Sequence, residues 1–160
     1  MDDSVIRRFE AGDEVALADI MHSAIRGIGP RAYDPRQVEV WAGRAYSATR
    51  YLERVRLADC IMVAAMGAEP PVAYVLIEPD GHVDHLYCAP EYAGRGLGIR
   101  LLDATLAFAR EHGIARLYTE ASELARPVFE RAGYVVLHRR DFDLDGVPIH
   151  NFAMERTVAP

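Results

Sequence analysis

Apolar positions along the chain follow two periods, and the period changes at glycine, proline and Asp-Gly positions. After a short run read as a strand, "VIRRFE", the residues Val15, Leu17, Ile20, Met21 and Ile25 recur at helical spacing from Asp13 on, with Gly27 available to end the helix. "YDPRQVEVWAG" carries the chemistry of a helix start: Asp34 can cap, Pro35 suits the first helical position, and Gln37 stands where a capping box closes. Gly43 ends this short helix, and "SATRYLERVR" is a third helical candidate. "CIMVAAM" and "PVAYVLIEP", rich in strand formers and divided by "GAEP", read as a hairpin, and Asp80-Gly81 turns the chain into a third strand, "HVDHLYC".

From Gly96 to His112 the residues Ile99, Leu102, Leu106 and Ala109 recur at helix period, and Gly113 fits the left-handed position that closes a helix. "ARLYTEAS" follows as a strand, "LARPVFERAG" as a helix closed by Gly133, and "YVVLHRRDF" and "VPIHNFAM" as a last hairpin about Asp145-Gly146. This order predicts an α/β fold: a mixed sheet of mostly antiparallel meanders with one strand-helix-strand crossover, covered by helices. No repeat, low-complexity tract or linker interrupts it, so residues 1-160 are expected to form a single domain.

Composition narrows the function. A net charge of -6, with no block of basic residues, argues against nucleic acid and anionic membranes as partners. Cys60 and Cys88 lie in apolar runs at no metal-ligand spacing, which reads as inert packing in a reducing compartment with no metal. No apolar stretch approaches the roughly 20 residues of a membrane span, and "MDDSVIRRFE" is too acidic for a secretory leader, so the expected setting is the cytoplasm.

The candidate chemistry sits in "APEYAGRGLGIRLL", Ala89 to Leu102, between a strand and a helix. Backbone N–H groups at a helix start lack partners and the helix dipole adds positive charge there, so such a terminus attracts phosphate. Gly94, Gly96 and Gly98 remove side chains that would keep an anion away, while Arg95 and Arg100 add charge; the alternative is a tight turn that needs small residues for packing. The loop has no lysine for a P-loop, and its alternating glycines do not fit the dinucleotide fingerprint.

"AGRGLG" resembles the Gln/Arg-x-x-Gly-x-Gly/Ala signature of the GNAT superfamily of acetyl-CoA-dependent N-acetyltransferases. The likeness extends through "VDHLYCAPEYAGRGLGIRLL" and "ARPVFERAGYVVL" and covers most of the chain. More narrowly, "YDPRQVEVWA", "EASELARPVFERAGY" and "HNFAMER" resemble a bacterial subgroup whose substrates are generally unassigned. Two positions depart from the family pattern: Ala93 replaces the usual Gln or Arg, and Phe129 replaces a tyrosine that often serves as general acid.

The resemblance implies a mixed, mostly antiparallel sheet with helices on both faces and splayed central strands, with acetyl-CoA as co-substrate. It places the cofactor phosphates at Gly94, Arg95, Gly96, Leu97, Gly98, Ile99 and Arg100. The pantetheine arm falls on the backbone of Leu86, Tyr87 and Cys88, with Ser122 in the place of an Asn that touches the arm. Ser122 can equally cap the following helix, and Arg126 fits a phosphate contact or a helical ion pair. Acetyl transfer to a primary amine by direct attack in a ternary complex is then the implied reaction, and a non-catalytic acyl-CoA-binding module is the alternative.

The amine must lose a proton before or during attack, and the strand before the loop offers Asp84 and His85; a solvated pair near the turn is the other reading. Glu120 is in reserve, and His82 is expected to be exposed. Tyr87, Tyr118 and Tyr134 are the hydroxyls available to the leaving thiolate, and a covalent role for Cys88 lacks a paired base. By the family pattern the acceptor, a small-molecule or peptide amine, enters where Tyr33, Asp34 and Trp41 lie, although Asp34 is also the predicted cap and Trp41 a core residue. Members of the family are often homodimers.

Overall fold

The computed structural model describes residues 3–160; Met1 and Asp2, which open the acidic start weighed against a secretory leader, lie outside the described residues. The elements run β1 (Ser4–Arg8), α1 (Glu14–Ile28), α2 (Pro35–Ala42), α3 (Ala48–Arg56), β2 (Cys60–Met66), β3 (Pro71–Ile77), β4 (Val83–Cys88), α4 (Leu97–Glu111), β5 (Arg116–Ala121), α5 (Arg126–Arg131), β6 (Val135–Leu144) and β7 (Val147–Thr157).

The expected mixed sheet is split. β1, β2, β3 and β4 form one antiparallel sheet in that order, and β5, β7 and β6 form a second. The crossover through α4 joins them at a single parallel bridge between His82 and Tyr118. There the Tyr118 N–H donates to the Gly81 carbonyl at 3.1 Å, and the Thr119 hydroxyl donates to the Val83 carbonyl at 2.8 Å. Beyond this seam, among the described residues, β4 and β5 share no ladder, so the backbone of β4 from Asp84 onward presents an open edge.

Residues Ile61 to Ala65 of β2 are all buried because helices cover both faces of the first sheet, which turns an alternating pattern into a continuous apolar run. On one face Met62, Val75 and Ile77 pack with Leu97, Leu101 and Leu102 of α4 and with Leu117 and Met154 of the second sheet. On the other, Ile61, Val63, Tyr74 and Leu76 pack against Leu17 and Ile20 of α1 and Tyr51 of α3. Each such leucine contributes about 2 kcal/mol through burial.

Local chemistry follows the sequence in places and departs from it in others. The capping box at α2 is complete: the Gln37 N–H donates to Asp34 Oδ1 at 2.9 Å, and Gln37 Oε1 accepts from the Asp34 N–H at 2.9 Å. α1, by contrast, runs through Gly27 to Ile28. A Cβ there would lie 2.8 Å from Pro90 Cγ, so this glycine admits the loop after β4 and does not end the helix. In α4 the buried stripe takes in Leu101 and Thr105 and leaves Ile99 and Leu106 half-buried. Thr105 is tolerated there because its hydroxyl donates to the Leu101 carbonyl at 2.9 Å.

Candidate active site

The chain leaves β4 through a one-turn 3-10 segment, Pro90–Tyr92, and enters α4 at Leu97. Gly96 caps that helix with φ of 82°, a left-handed conformation strained for any side chain. The N–H groups of Gly94, Arg95 and Gly96 donate no backbone hydrogen bond among the described residues. Those of Leu97, Gly98 and Ile99 stand in the first turn, where a helix has no internal acceptor. This run of free donors at the positive end of a fifteen-residue helix fits a diphosphate. Gly98 has a different task from the one expected: its Cβ would come within 3.0 Å of Val128 Cγ1, so it lets α5 close on α4.

The donors open into a cleft of about 760 Å³ lined by Ala93, Gly94, Gly96, Leu97, Gly98 and Ile99 on one side and Pro127 and Val128 on the other. The arginines expected to charge it do otherwise. Arg100 turns back to β1, where its guanidinium donates to the Ser4 hydroxyl and, at 3.1 Å, to the Ser4 carbonyl. Arg95 stacks on the Tyr92 ring at 4.8 Å. The cations that line the cleft are Arg31, from the turn after α1, and Arg131, from the end of α5, both without a partner among the described residues. Neither carried a signal in sequence, since each is a single basic residue far from the glycine loop.

The cleft runs along the open edge of β4. The Ala89 N–H donates to the Val72 carbonyl at 2.8 Å. By the alternation of an antiparallel ladder, Tyr87 is then bonded to β3, while the backbone of Leu86 and of Cys88 faces the gap. Of the three residues expected to offer backbone here, two do. The Cys88 thiol is pushed up to about 11 by burial and by Glu91, which leaves it protonated and unreactive near neutral pH.

At the far end, past Trp41, Leu86, Tyr87, Ser122 and Ala125, the cleft meets a smaller cavity of about 130 Å³. Its walls are the apolar parts of Trp41, Phe129, Phe142, Leu144 and Ile149, with Asp84, Glu120, Tyr33, His150 and Asn151 supplying polarity. Asp84 reaches it through an irregularity that the sequence did not reveal: His85 pairs with Leu76 and Val83 with Ile77, so Asp84 is the extra residue of a bulge.

Behind the two carboxylates lies a charge network. Arg54 of α3, nearly buried, bonds Asp59 at 2.5 Å and Asp84 at 2.8 Å and stands 3.8 Å from Glu78. His82 bonds Glu78 through Nδ1 and Glu120 through Nε2, the latter at 2.8 Å. Burial opposes charge on His82, but Glu120 and Glu78 prevail and raise it to about 9, so it is an imidazolium near neutral pH. Burial alone would raise the Asp84 carboxyl; the Arg54 guanidinium holds it below the usual carboxylate range. The expectation that His82 is exposed is therefore corrected: its side chain is 15% exposed and clamped on both sides. Glu78, His82 and Asp84 also bring ligand atoms within 4.8 Å of one another, yet the Arg54 guanidinium and the His82 proton already serve those atoms.

His85 is not brought to this cavity. It points to the opposite face of β4, 5% exposed among Tyr46, Tyr51 and Tyr74, with Nδ1 2.9 Å from the Tyr74 hydroxyl. Burial lowers it to about 4, so it is neutral near pH 7 and out of an acceptor's reach. Asp34 is likewise spent on its cap, whereas Tyr33 and Trp41 do line the cavity. The Tyr33 hydroxyl donates to the His150 carbonyl at 2.9 Å and accepts from the Glu123 N–H at 2.9 Å. Of the three hydroxyls, Tyr118 bonds Asp80 at the surface, Tyr134 packs on Phe129 in the core, and Tyr87 lines both cavities. Ser122 faces both cavities and its Oγ accepts from the Ala125 N–H at 3.1 Å, so both of its expected roles are compatible. Arg126 forms the helical pair with Glu130 at 2.7 Å.

A family model described as an acetyltransferase (GNAT) domain matches residues 30–156. Among curated proteins, an uncharacterized N-acetyltransferase of Escherichia coli K12, YafP, is 29% identical over 154 residues, covering 96% of each chain. A solved GCN5-related N-acetyltransferase from Rhodopseudomonas palustris matches at 27% identity with a TM-score of 0.87, over 98% of this chain and 97% of that one. The fold is shared with PaiA N-acetyltransferase of Thermoplasma acidophilum, solved in complex with coenzyme A, at 18% identity and a TM-score of 0.76 over 96% of this chain and 98% of that one.

Proposed function

The chain belongs to the GNAT acetyltransferase family and is an acetyltransferase, and from that premise we propose that it moves an acetyl group from acetyl-CoA to a primary amine by direct attack in a ternary complex. The observation that carries this reading is the run of free N–H groups from Gly94 to Ile99, opening into a cleft that meets a second, polar cavity at Leu86 and Tyr87. The fit to coenzyme A is supported by the left-handed Gly96, the open space over Gly94 and Gly96, and the uncommitted Arg31 and Arg131.

Bound there, acetyl-CoA supplies a thioester carbonyl activated for attack. The residues of the chain hold it and handle protons. Backbone donors of the loop, with Arg31 and Arg131, bind the phosphates; Ala93 contributes backbone only, and the two remote arginines supply the charge its position lacks. The Leu86 N–H, on the open edge of β4, is the donor available to the carbonyl oxygen as negative charge develops.

Asp84, held below the ordinary range by Arg54, is a poor proton acceptor. His85 is walled off, so Glu120 is the carboxylate left to take the amine proton, directly or through water. Burial keeps the Tyr87 hydroxyl well above its ordinary value. A thiol has a pKa of about 8.5, so Tyr87 stabilises the leaving thiolate by donating a hydrogen bond and keeps its proton. Phe129 then needs no hydroxyl. The acidic composition with two cysteines keeps the cytoplasm as the proposed setting.

Thiol release from acetyl-CoA, measured across a panel of primary amines and peptide amines, tests the reading. Amine-dependent release is expected. Tight acetyl-CoA binding with no release from any amine would contradict transfer and favour a binding module.

A further inference from the structure

The charges around the smaller cavity do not balance. Asp59, Glu78, Asp84 and Glu120 are tied to Arg54 and to the protonated His82, so four carboxylates face two cations and the network stands two negative charges over. The two carboxylates that reach the cavity, Asp84 and Glu120, keep side-chain exposures of 30% and 33%, so their free edges face it. On the opposite wall the groups cancel: Glu123 is bonded by His150, and the Arg140 guanidinium donates to Asn151 Oδ1 at 2.9 Å. One wall thus attracts a cation, and the others are the aromatic and aliphatic surfaces of Trp41, Phe142, Leu144 and Ile149.

Size limits what enters. The cavity holds about 130 Å³, and an apolar cavity of roughly 150 Å³ takes one benzene ring. An anionic group beside the amine would meet the surplus negative charge without a cation to pair with, because Arg54 and His82 are already engaged.

Resting on the acetyl-transfer reading of this site, we propose that the acceptor is a compact monoamine bound as its ammonium cation, its charge on Asp84 and Glu120 and its single apolar group against Trp41, Phe142 and Ile149. An α-amino acid fails on charge. Polyamines and peptides fail on size.

Benzylamine and phenylglycine form a matched pair that differs by one carboxylate, and benzyl alcohol is the neutral comparison. Titrated calorimetrically into the protein saturated with coenzyme A, benzylamine should bind at least tenfold more tightly than either of the others, and Glu120→Gln should shrink that margin to about threefold or less. Equal or tighter binding of phenylglycine, or no binding of benzylamine, overturns the proposal. Thiol release with the same amines is read separately: benzylamine binding without release contradicts transfer and leaves the acceptor class standing, whereas release that favours amino acids, spermidine or peptides contradicts the acceptor class and leaves transfer standing.

Discussion

The cleft at the start of α4 and the cavity beyond Trp41 meet at Tyr87, yet they are built by opposite means. The cleft's working groups are backbone donors in one stretch, Gly94 to Ile99, fixed by the geometry of a strand that stops and a helix that starts. The cavity's working groups are side chains drawn from α2, β4, β5, β6 and β7, held by an arginine on α3 and a histidine at the seam between the sheets. A backbone site tolerates change in side-chain identity, as Ala93 and Phe129 illustrate. A side-chain site fails when one partner of a charge pair is removed.

The largest way to break the contrast is Gly96→Glu. It strains a position with φ of 82° and sets a carboxylate at the donors. Acetyl-CoA affinity should fall at least a hundredfold by calorimetry, with the fold retained by circular dichroism; an unchanged affinity would remove the loop from the binding site.

Next in size is Glu120→Gln, which acts on the other region alone. Loss of a general base costs about 100-fold or more in kcat, and the acetyl-CoA dissociation constant should not move. A parallel fall in cofactor affinity would mean that the two regions are not separable.

Arg31→Ala and Arg131→Ala should each weaken acetyl-CoA about fivefold, the worth of an exposed charge contact, and less so in high salt. An effect on amine KM in place of cofactor affinity would reassign these residues to the acceptor.

The smallest effect is on stability, and it separates two histidines three residues apart. His82, raised to about 9 from 6.5, lends stability that is full below pH 6.5 and lost as pH rises through 9. His85, lowered to about 4, lends stability that is present above pH 6.5 and lost as pH falls through 4. Thermal unfolding should therefore weaken at both ends. His82→Gln should flatten the alkaline limb and His85→Phe the acid one; a variant with the wild-type curve would place that histidine outside the coupling.

The same contrast explains how much could be read from sequence. The cofactor loop was legible because its glycines, its strand and its helix are adjacent in the chain, and the capping box of α2 was legible for the same reason. The split of the sheet was not, because it depends on one bridge between His82 and Tyr118. Arg54, Arg31 and Arg131 escaped notice because their partners lie elsewhere in the chain. Asp84 and His85 looked interchangeable until the bulge sent one into the cavity and left the other in the core.

The central claim is that the backbone of this loop holds the cofactor, and amide chemical shifts report on it directly. Titrating coenzyme A into 15N-labelled protein should move the N–H resonances of Gly94 through Ile99 furthest, with those of Leu86 and Cys88 following and that of Tyr87 little changed. Saturable binding with the loop resonances unmoved would contradict the account.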